Sequence, residues 1–257
     1  MYDTHTRERI LADVAQGRSL NSVSKETGIS RAAIRSWQVR LEPHRRTGQP
    51  CPRCRKQPDK PEDPAAYAYL LGFYLGDGCI NASRRGVYVL RIVCDNAWPG
   101  LIDACEAAMR SVRPENSVYR VKKQGCKAVT SSSKHWPCLF PQHGPGKKHD
   151  RAIVLESWQQ EIVDSYPWEF IRGLIHSDGC RITNWTTRLV GGERKRYEYP
   201  RYFFTNKSDD IRKLFTDTLD TVGVGWTTLS RGSDPLNISI ARKASVALMD
   251  AHVGPKY

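Results

Sequence analysis

No apolar run in this chain approaches 18 residues, which excludes an ordinary membrane-spanning helix. The first residues, MYDTHTRERILADV, lack the apolar stretch of a secretory leader, so nothing there marks export. Negative charge is scarce: 27 Asp and Glu face 40 Lys and Arg, a formal net charge of +13. That imbalance points to a polyanionic partner, most often nucleic acid. The expected location is therefore cytoplasmic and nucleoid-associated, with no membrane. Disorder throughout is excluded, because 39% of the 257 residues are hydrophobic and seven are Trp. Eight cysteines without an export signal read as thiols or metal ligands, not as a disulfide framework.

The positive charge is concentrated. Residues 1–60 hold 13 Lys and Arg against 6 Asp and Glu, about half of the net excess in under a quarter of the length. Residues 43–64 are dense in Pro and charge and lack apolar periodicity, so they read as a linker. Ahead of it, residues 1–42 carry three short helical patterns. Ile10, Leu11 and Val14 define the first and Leu20 and Val23 the second. Ile34, Trp37 and Leu41 define the third. Thr27-Gly28-Ile29-Ser30 supplies a tight turn and a helix N-cap between the last two. This is a helix-turn-helix pattern, with Arg31, Arg35, Gln38 and Arg40 as candidate DNA contacts. In the linker, Cys51 and Cys54 have the spacing of half a zinc site, a possible structural Zn²⁺. His44, Cys126, Cys138, His143 and His149 are open as its other half, and two free thiols remain the alternative.

The most informative feature is an internal repeat. Residues 70–78 read LLGFYLGDG and residues 171–179 read IRGLIHSDG, placing Asp77 and Asp178 101 positions apart. Small residues recur one helical turn apart, Gly72 and Gly76 in one copy and Gly173 and Ser177 in the other. Glycine within a helix costs about 1 kcal/mol relative to alanine, so these positions call for close helix–helix approach. If the two helices pack side by side along these strips, their final carboxylates converge, with Gly78 and Gly179 suited to break each helix. Two anions at helix C-termini call for a cation between them. Mg²⁺ fits, with substrate phosphates completing its ligands, and that suits metal-assisted phosphodiester hydrolysis.

Behind each Asp-Gly the pattern continues as strands, a helix and strands. Val87–Cys94, a helix from Leu101, Val118–Lys122 and Ala128–Ser132 follow the first. Arg201–Thr205, a helix from Ile211, Trp226–Leu229 and Ile238–Ala241 follow the second. Residues 65–166 and 167–257 thus read as two halves of α+β character. Each closes on a similar segment, with Lys147 in one and Lys256 in the other. Basic residues on the strands, Arg120, Lys122 and Arg231 among them, suit a sheet face that covers DNA. Ser133–His149 reads as a solvated loop, and Trp158, Trp168, Trp185 and Trp226 as core residues rather than stacking platforms.

These residues resemble the LAGLIDADG homing endonuclease family in its single-chain, two-motif form, matching at the small positions and the final Asp-Gly. Leu75 and His176 stand where the motif often carries an acid. The resemblance covers about residues 64–257 and implies tandem αββαββα halves forming an antiparallel saddle over double-stranded DNA. It implies a monomer with internal pseudo-twofold symmetry. Asp77 and Asp178 would hold two or three Mg²⁺ ions shared with DNA phosphates, with Lys147 and Lys256 as the basic residues near the site. It further implies double-strand cleavage across the minor groove with short 3′ overhangs. The leading helical module resembles actinobacterial LAGLIDADG-like regulators, where the domain is thought to have lost catalysis and the helical module follows. A non-cleaving transcription regulator, and RNA processing, are the alternatives.

Overall fold

The computed structural model describes residues 4–39, 61–231 and 234–257. The chain divides into two compact units, Met1–Pro50 and Cys51–Tyr257. Arg40, Cys51 and Cys54 lie outside the described residues.

The first unit is three short helices, α1 (Thr4–Ala15), α2 (Leu20–Thr27) and α3 (Arg31–Val39). Ser19 caps α2 by accepting the Ser22 amide, and Gly28 ends it at φ +69, a left-handed turn a Cβ would strain. Ser30 then accepts the Ala33 amide to start α3. Ile10, Val23, Ile29, Ile34 and Trp37 close a small core. Arg31, Arg35 and Gln38, spaced four and three apart on α3, are all exposed.

The second unit repeats one topology twice. Its first half runs α4 (Pro64–Asp77), β1 (Gly78–Ala82), β2 (Tyr88–Asp95), α5 (Pro99–Val112), β3 (Val118–Lys123) and β4 (Cys126–Ser133). Two helices follow, α6 (Trp136–Leu139) and α7 (Ser157–Ser165). The second half runs α8 (Pro167–Asp178), β5 (Gly179–Val190), β6 (Glu193–Thr205), α9 (Asp209–Thr221), β7 (Thr227–Arg231), β8 (Asp234–Ile240) and α10 (Lys243–His252). The sheets are antiparallel and connected alike, in the orders β1-β2-β4-β3 and β5-β6-β8-β7. This is the doubled α+β architecture expected from the repeat. None of the helices described is long and apolar enough to cross a membrane.

Strand alternation assigns each sheet two faces. Leu90, Ile92 and Cys94 of β2 and Val129 of β4 enter the core, as do Tyr202 and Phe204 of β6 with Ile238 and Ile240 of β8. The opposite parity leaves a helix-free face on each sheet. Between the faces, α4 is buried all round from Tyr67 to Leu75, which makes it the central element of the core.

Three expectations change. Ser133–His149 is not a solvated loop throughout, because Trp136, Leu139 and Phe140 are fully buried and extend the core beneath α4. Trp185 is not core but 59% exposed, whereas Trp158, Trp168 and Trp226 pack against the core. The stretch after Asp178 also holds a strand, β5, that alternation alone did not show; its residues are too polar to signal burial.

A candidate two-carboxylate site at the helix seam

Helices α4 and α8 run side by side in the same direction and approach to backbone contact. A Cβ at Gly173 would stand 2.1 Å from the Tyr69 carbonyl oxygen, and one at Gly72 2.4 Å from that of Phe170. Lower on the seam, a Cβ at Gly76 would stand 2.2 Å from Ser177 Oγ and 3.0 Å from Asp178 Cγ. Ser177 tolerates this because its hydroxyl turns back on its own helix, donating to Leu174 and Gly173 carbonyls at 2.9 and 3.1 Å. Tyr69 adds a cross-seam bond to the buried His176, with 3.1 Å between its hydroxyl and Nδ1. Burial lowers His176 to about 4, so it is a neutral seam residue.

The motif glycines after the acids end both helices as expected, though not through a left-handed turn. Gly78 and Gly179 have φ of −83° and −103°, extended values rather than left-handed caps. A Cβ there would stand 2.6 Å from Tyr74 Cα and 2.8 Å from Ile175 Cα. They are needed because each chain turns from helix into strand hard against its own last turn.

Asp77 and Asp178 therefore finish their helices together. Asp77 lies exposed at the end of α4, yet the groups packed around it strip part of its water. That desolvation first, and then the Asp178 carboxylate, push the Asp77 carboxyl up to about 6. Desolvation raises Asp178 as well, and Asn206 opposes the rise by donating from Nδ2 to its Oδ2 at 2.5 Å.

Two lysines balance the pair. Lys148 Nζ donates to the carbonyls of Tyr74, Gly76 and Gly78, the last two at 2.8 Å, and lies 5.0 Å from the centre of the Tyr74 ring. Lys256 Nζ donates to the Ser177 carbonyl at 2.9 Å. Gly76 and Ser177 are equivalent positions of the repeat, so each half places one lysine on the end of its own helix. Burial lowers Lys148 to about 8, and it lowers Lys256 too; both acids oppose the shift in each case.

Lys256 donates to the end of α8 as Lys148 does to the end of α4, while Lys147 lines a cleft beside them. Lys147 is exposed and extended, and only the next residue, entering a 3₁₀ turn, reaches α4. Asn206 was legible only as a residue preceding a helix; the fold brings it 28 positions back to Asp178. Beside the acids opens a cleft of about 830 Å³, lined by Tyr74, Lys148, Arg151, Asp178, Asn206 and Lys207.

The strand candidates change faces. Arg120 shares parity with the buried Val118 and pairs with Asp103 and Glu106 of α5, at 2.7 and 2.5 Å. Lys122 follows the same parity, so Tyr119, Val121 and Lys123 occupy the helix-free face instead. The side chain of Arg231 lies outside the described residues.

Among the described residues no group of three or more His, Cys, Asp or Glu side chains gathers to hold a metal. Two carboxylates alone suit a hard cation that takes its remaining oxygens from water and phosphate. They do not suit Zn²⁺ bound through thiolate or imidazole.

Removing Lys148 tests the balance. Lys148→Met leaves three carbonyls without their charged donor, and a loss of about 2 kcal/mol in urea unfolding is expected at pH 7. In the parent, Lys148 binds its proton less tightly folded than unfolded, so its contribution makes stability rise with pH from about 8 toward 10.5. That rise should disappear in the variant.

Neither a family profile nor a curated protein matches the sequence. Solved structures do resemble it. One is I-DmoI in complex with DNA and Mn, 14% identical, covering 76% of this chain and 98% of that one, at a TM-score of 0.47. Another is the LAGLIDADG meganuclease I-AabMI bound to uncleaved DNA, 10% identical over 72% of this chain and 83% of that one, at 0.46. A third is the N-terminal LAGLIDADG domain of DUF199/WhiA, 12% identical over 77% and 87%, at 0.44. The structural neighbours are thus LAGLIDADG proteins of both nuclease and WhiA type. At these identities no residue's role carries across, and the site stands on its own geometry.

Proposed function

We propose that this chain binds double-stranded DNA and that its C-terminal unit cleaves it as a metal-dependent, site-specific endonuclease. The convergence of Asp77 and Asp178 on one seam carries this reading, because a fold that only gripped DNA gains nothing from two desolvated acids side by side. Asp77 and Asp178 would hold Mg²⁺ or a similar divalent ion, which supplies activated water and charge stabilisation at the leaving oxygen. Asn206 orients the Asp178 carboxylate. Lys148 and Lys256 hold the helix ends in place and offset the acids until substrate arrives. The exposed Arg31, Arg35 and Gln38 of α3 supply a second DNA contact from the first unit.

A second reading, a regulator that binds DNA without cutting it, is favoured by one observation. Lys148 and Lys256 both act electrostatically on Asp77 and Asp178, so the pair is already partly neutralised without a metal. Selecting bound sites from a random duplex library in EDTA, then adding Mg²⁺ or Mn²⁺, separates the two. The nuclease reading expects double-strand breaks within the selected site, falling roughly a thousandfold with Asp77→Asn. Intact DNA at every metal concentration leaves the regulator.

A further inference from the structure

Lys148 and Lys256, which stand on the ends of α4 and α8, belong to segments that leave their own half. In the first half the chain runs on from Lys148 to the buried Ile153, whose amide donates to Asp210 Oδ2 at 2.7 Å. In the second it runs on from Lys256 to Tyr257, whose carbonyl accepts the Gly100 amide at 3.0 Å. Asp210 is the second residue of α9, and Gly100 the second residue of α5. These helices are the same element of the two halves. Each segment is therefore fastened to one equivalent position, in the half that is not its own.

The second fastening is fitted in shape. Trp98 gives α5 no side-chain cap, and the Tyr257 carbonyl takes one of the orphan amides instead. The Tyr257 ring lies so close that a Cβ at Gly100 would stand 2.0 Å from its Cδ2 and 2.2 Å from its Cε2. No positive φ calls for glycine at this position, and in a helix it costs about 1 kcal/mol relative to alanine. What Gly100 provides is a notch for the ring. The ring also meets His176 of α8 edge-on, 6.2 Å between centroids at 79°. One aromatic side chain thus joins α5 of the first half to α8 of the second. The first fastening is braced by Arg151, which donates to the Gln142 and Gly146 carbonyls at 3.2 and 2.8 Å between Lys148 and Ile153.

We infer that residues 148–153 and 256–257 are reciprocal straps, each tied to the opposite half so as to hold its lysine at the two-carboxylate site. Asp210, Gly100 and Tyr257 are then positioning residues for cleavage. The proposal rests on the nuclease reading above and adds to it residues that lie away from the acids. A lysine side chain carries about 2 kcal/mol of rotamer entropy, so its ammonium keeps one set of carbonyls only if its backbone is held on both sides. Its own half holds one side, and the strap holds the other. Lys148 and Lys256 both lie within electrostatic reach of Asp77 and Asp178, so a shift of either unbalances the pair. Misplacement by about 1 Å at a reacting centre costs about a hundredfold in rate.

The test uses the full chain on a duplex selected in EDTA, with single-turnover cleavage started by Mg²⁺. Gly100→Ala displaces the Tyr257 ring and Tyr257→Ala removes it. Each should cut about 10–100-fold more slowly while binding the duplex as tightly as the parent. The two combined should be no slower than either alone, because they break one contact. Tyr257→Phe keeps the ring and the carbonyl and should cut at the parent rate. Asp210→Ala should be slowed like Gly100→Ala, and Asp210→Asn, which keeps an acceptor for the Ile153 amide, should not. Gly100→Ala gains helix propensity, so it should melt no lower than the parent, and its slow cutting is then not instability. Parent-rate cleavage by either Gly100→Ala or Asp210→Ala overturns the straps while leaving the nuclease intact. So does a loss of duplex affinity as large as the loss of rate, or slow cutting by Tyr257→Phe. Failure of the parent to cut any selected duplex overturns the nuclease reading and the straps together.

Discussion

Asp178→Asn is expected to lower double-strand cleavage by roughly a thousandfold, about 4 kcal/mol of barrier, while the selected duplex is still bound. Asp77→Asn should do the same, and the two together should be no worse than either alone if they hold shared ions. What separates the two sites is stability. Asp77 is pushed up to about 6 from an ordinary 3.8, so the folded chain holds a proton there that the unfolded chain releases. Its contribution therefore makes stability fall as pH rises from about 4 to about 6, and the cost persists at neutral pH. A shift of that size is worth about 3 kcal/mol at a buried site, which solvent screening at an exposed rim cuts to about 1 kcal/mol. Asp77→Asn should thus melt about 2–4 °C higher at pH 7, with the gain vanishing near pH 4. Asp178→Asn should gain less, because Asn206 already offsets its burial. Calorimetry of the three proteins at both pH values, beside cleavage assays, checks this. A destabilised Asp77→Asn protein would mean that the acid belongs to a structural ion pair rather than to a site waiting for a cation.

Gly173→Ala is expected to have the largest structural effect of any single methylene-sized change. The added Cβ meets a backbone oxygen of the facing helix at 2.1 Å, and neither helix can rotate away within a packed core. Overpacking of this kind costs about 3 kcal/mol, offset by about 1 kcal/mol of improved helix propensity. A net loss of about 2 kcal/mol should lower the melting temperature by about 4–8 °C. Separating the helices also separates Asp77 from Asp178, so cleavage should fall further than stability explains. Gly223 provides the contrast. It has open space around it but φ +72, so Gly223→Ala should cost about 1 kcal/mol of backbone strain and leave cleavage unchanged.

Much of this was legible in residue order. The repeated Asp-Gly helices, their small-residue strips and the strand–helix rhythm behind them are local patterns, and local patterns survive in a one-dimensional string. The seam could be anticipated because glycine inside an apolar helix has few other uses. The α3 face was legible for the same reason, since helical spacing alone puts Arg31, Arg35 and Gln38 together.

Other features depend on distances and parities that no string displays. Lys147 and Lys148 are adjacent and chemically identical; one 3₁₀ turn decides which ammonium reaches α4. Arg120 and Tyr119 exchange faces on a register offset of one residue, which flips a whole strand. Asn206 meets Asp178 only because β6 returns beside β5. Strand β5 was hidden because its polar, two-sided residues lack the alternation that burial imposes on a strand. Composition and periodicity record which surfaces must leave water, and so specify a small helical unit and a second unit with a doubled core. Which cation stands on which carbonyl is a matter of ångströms across non-local contacts, and those exist only once the chain has folded.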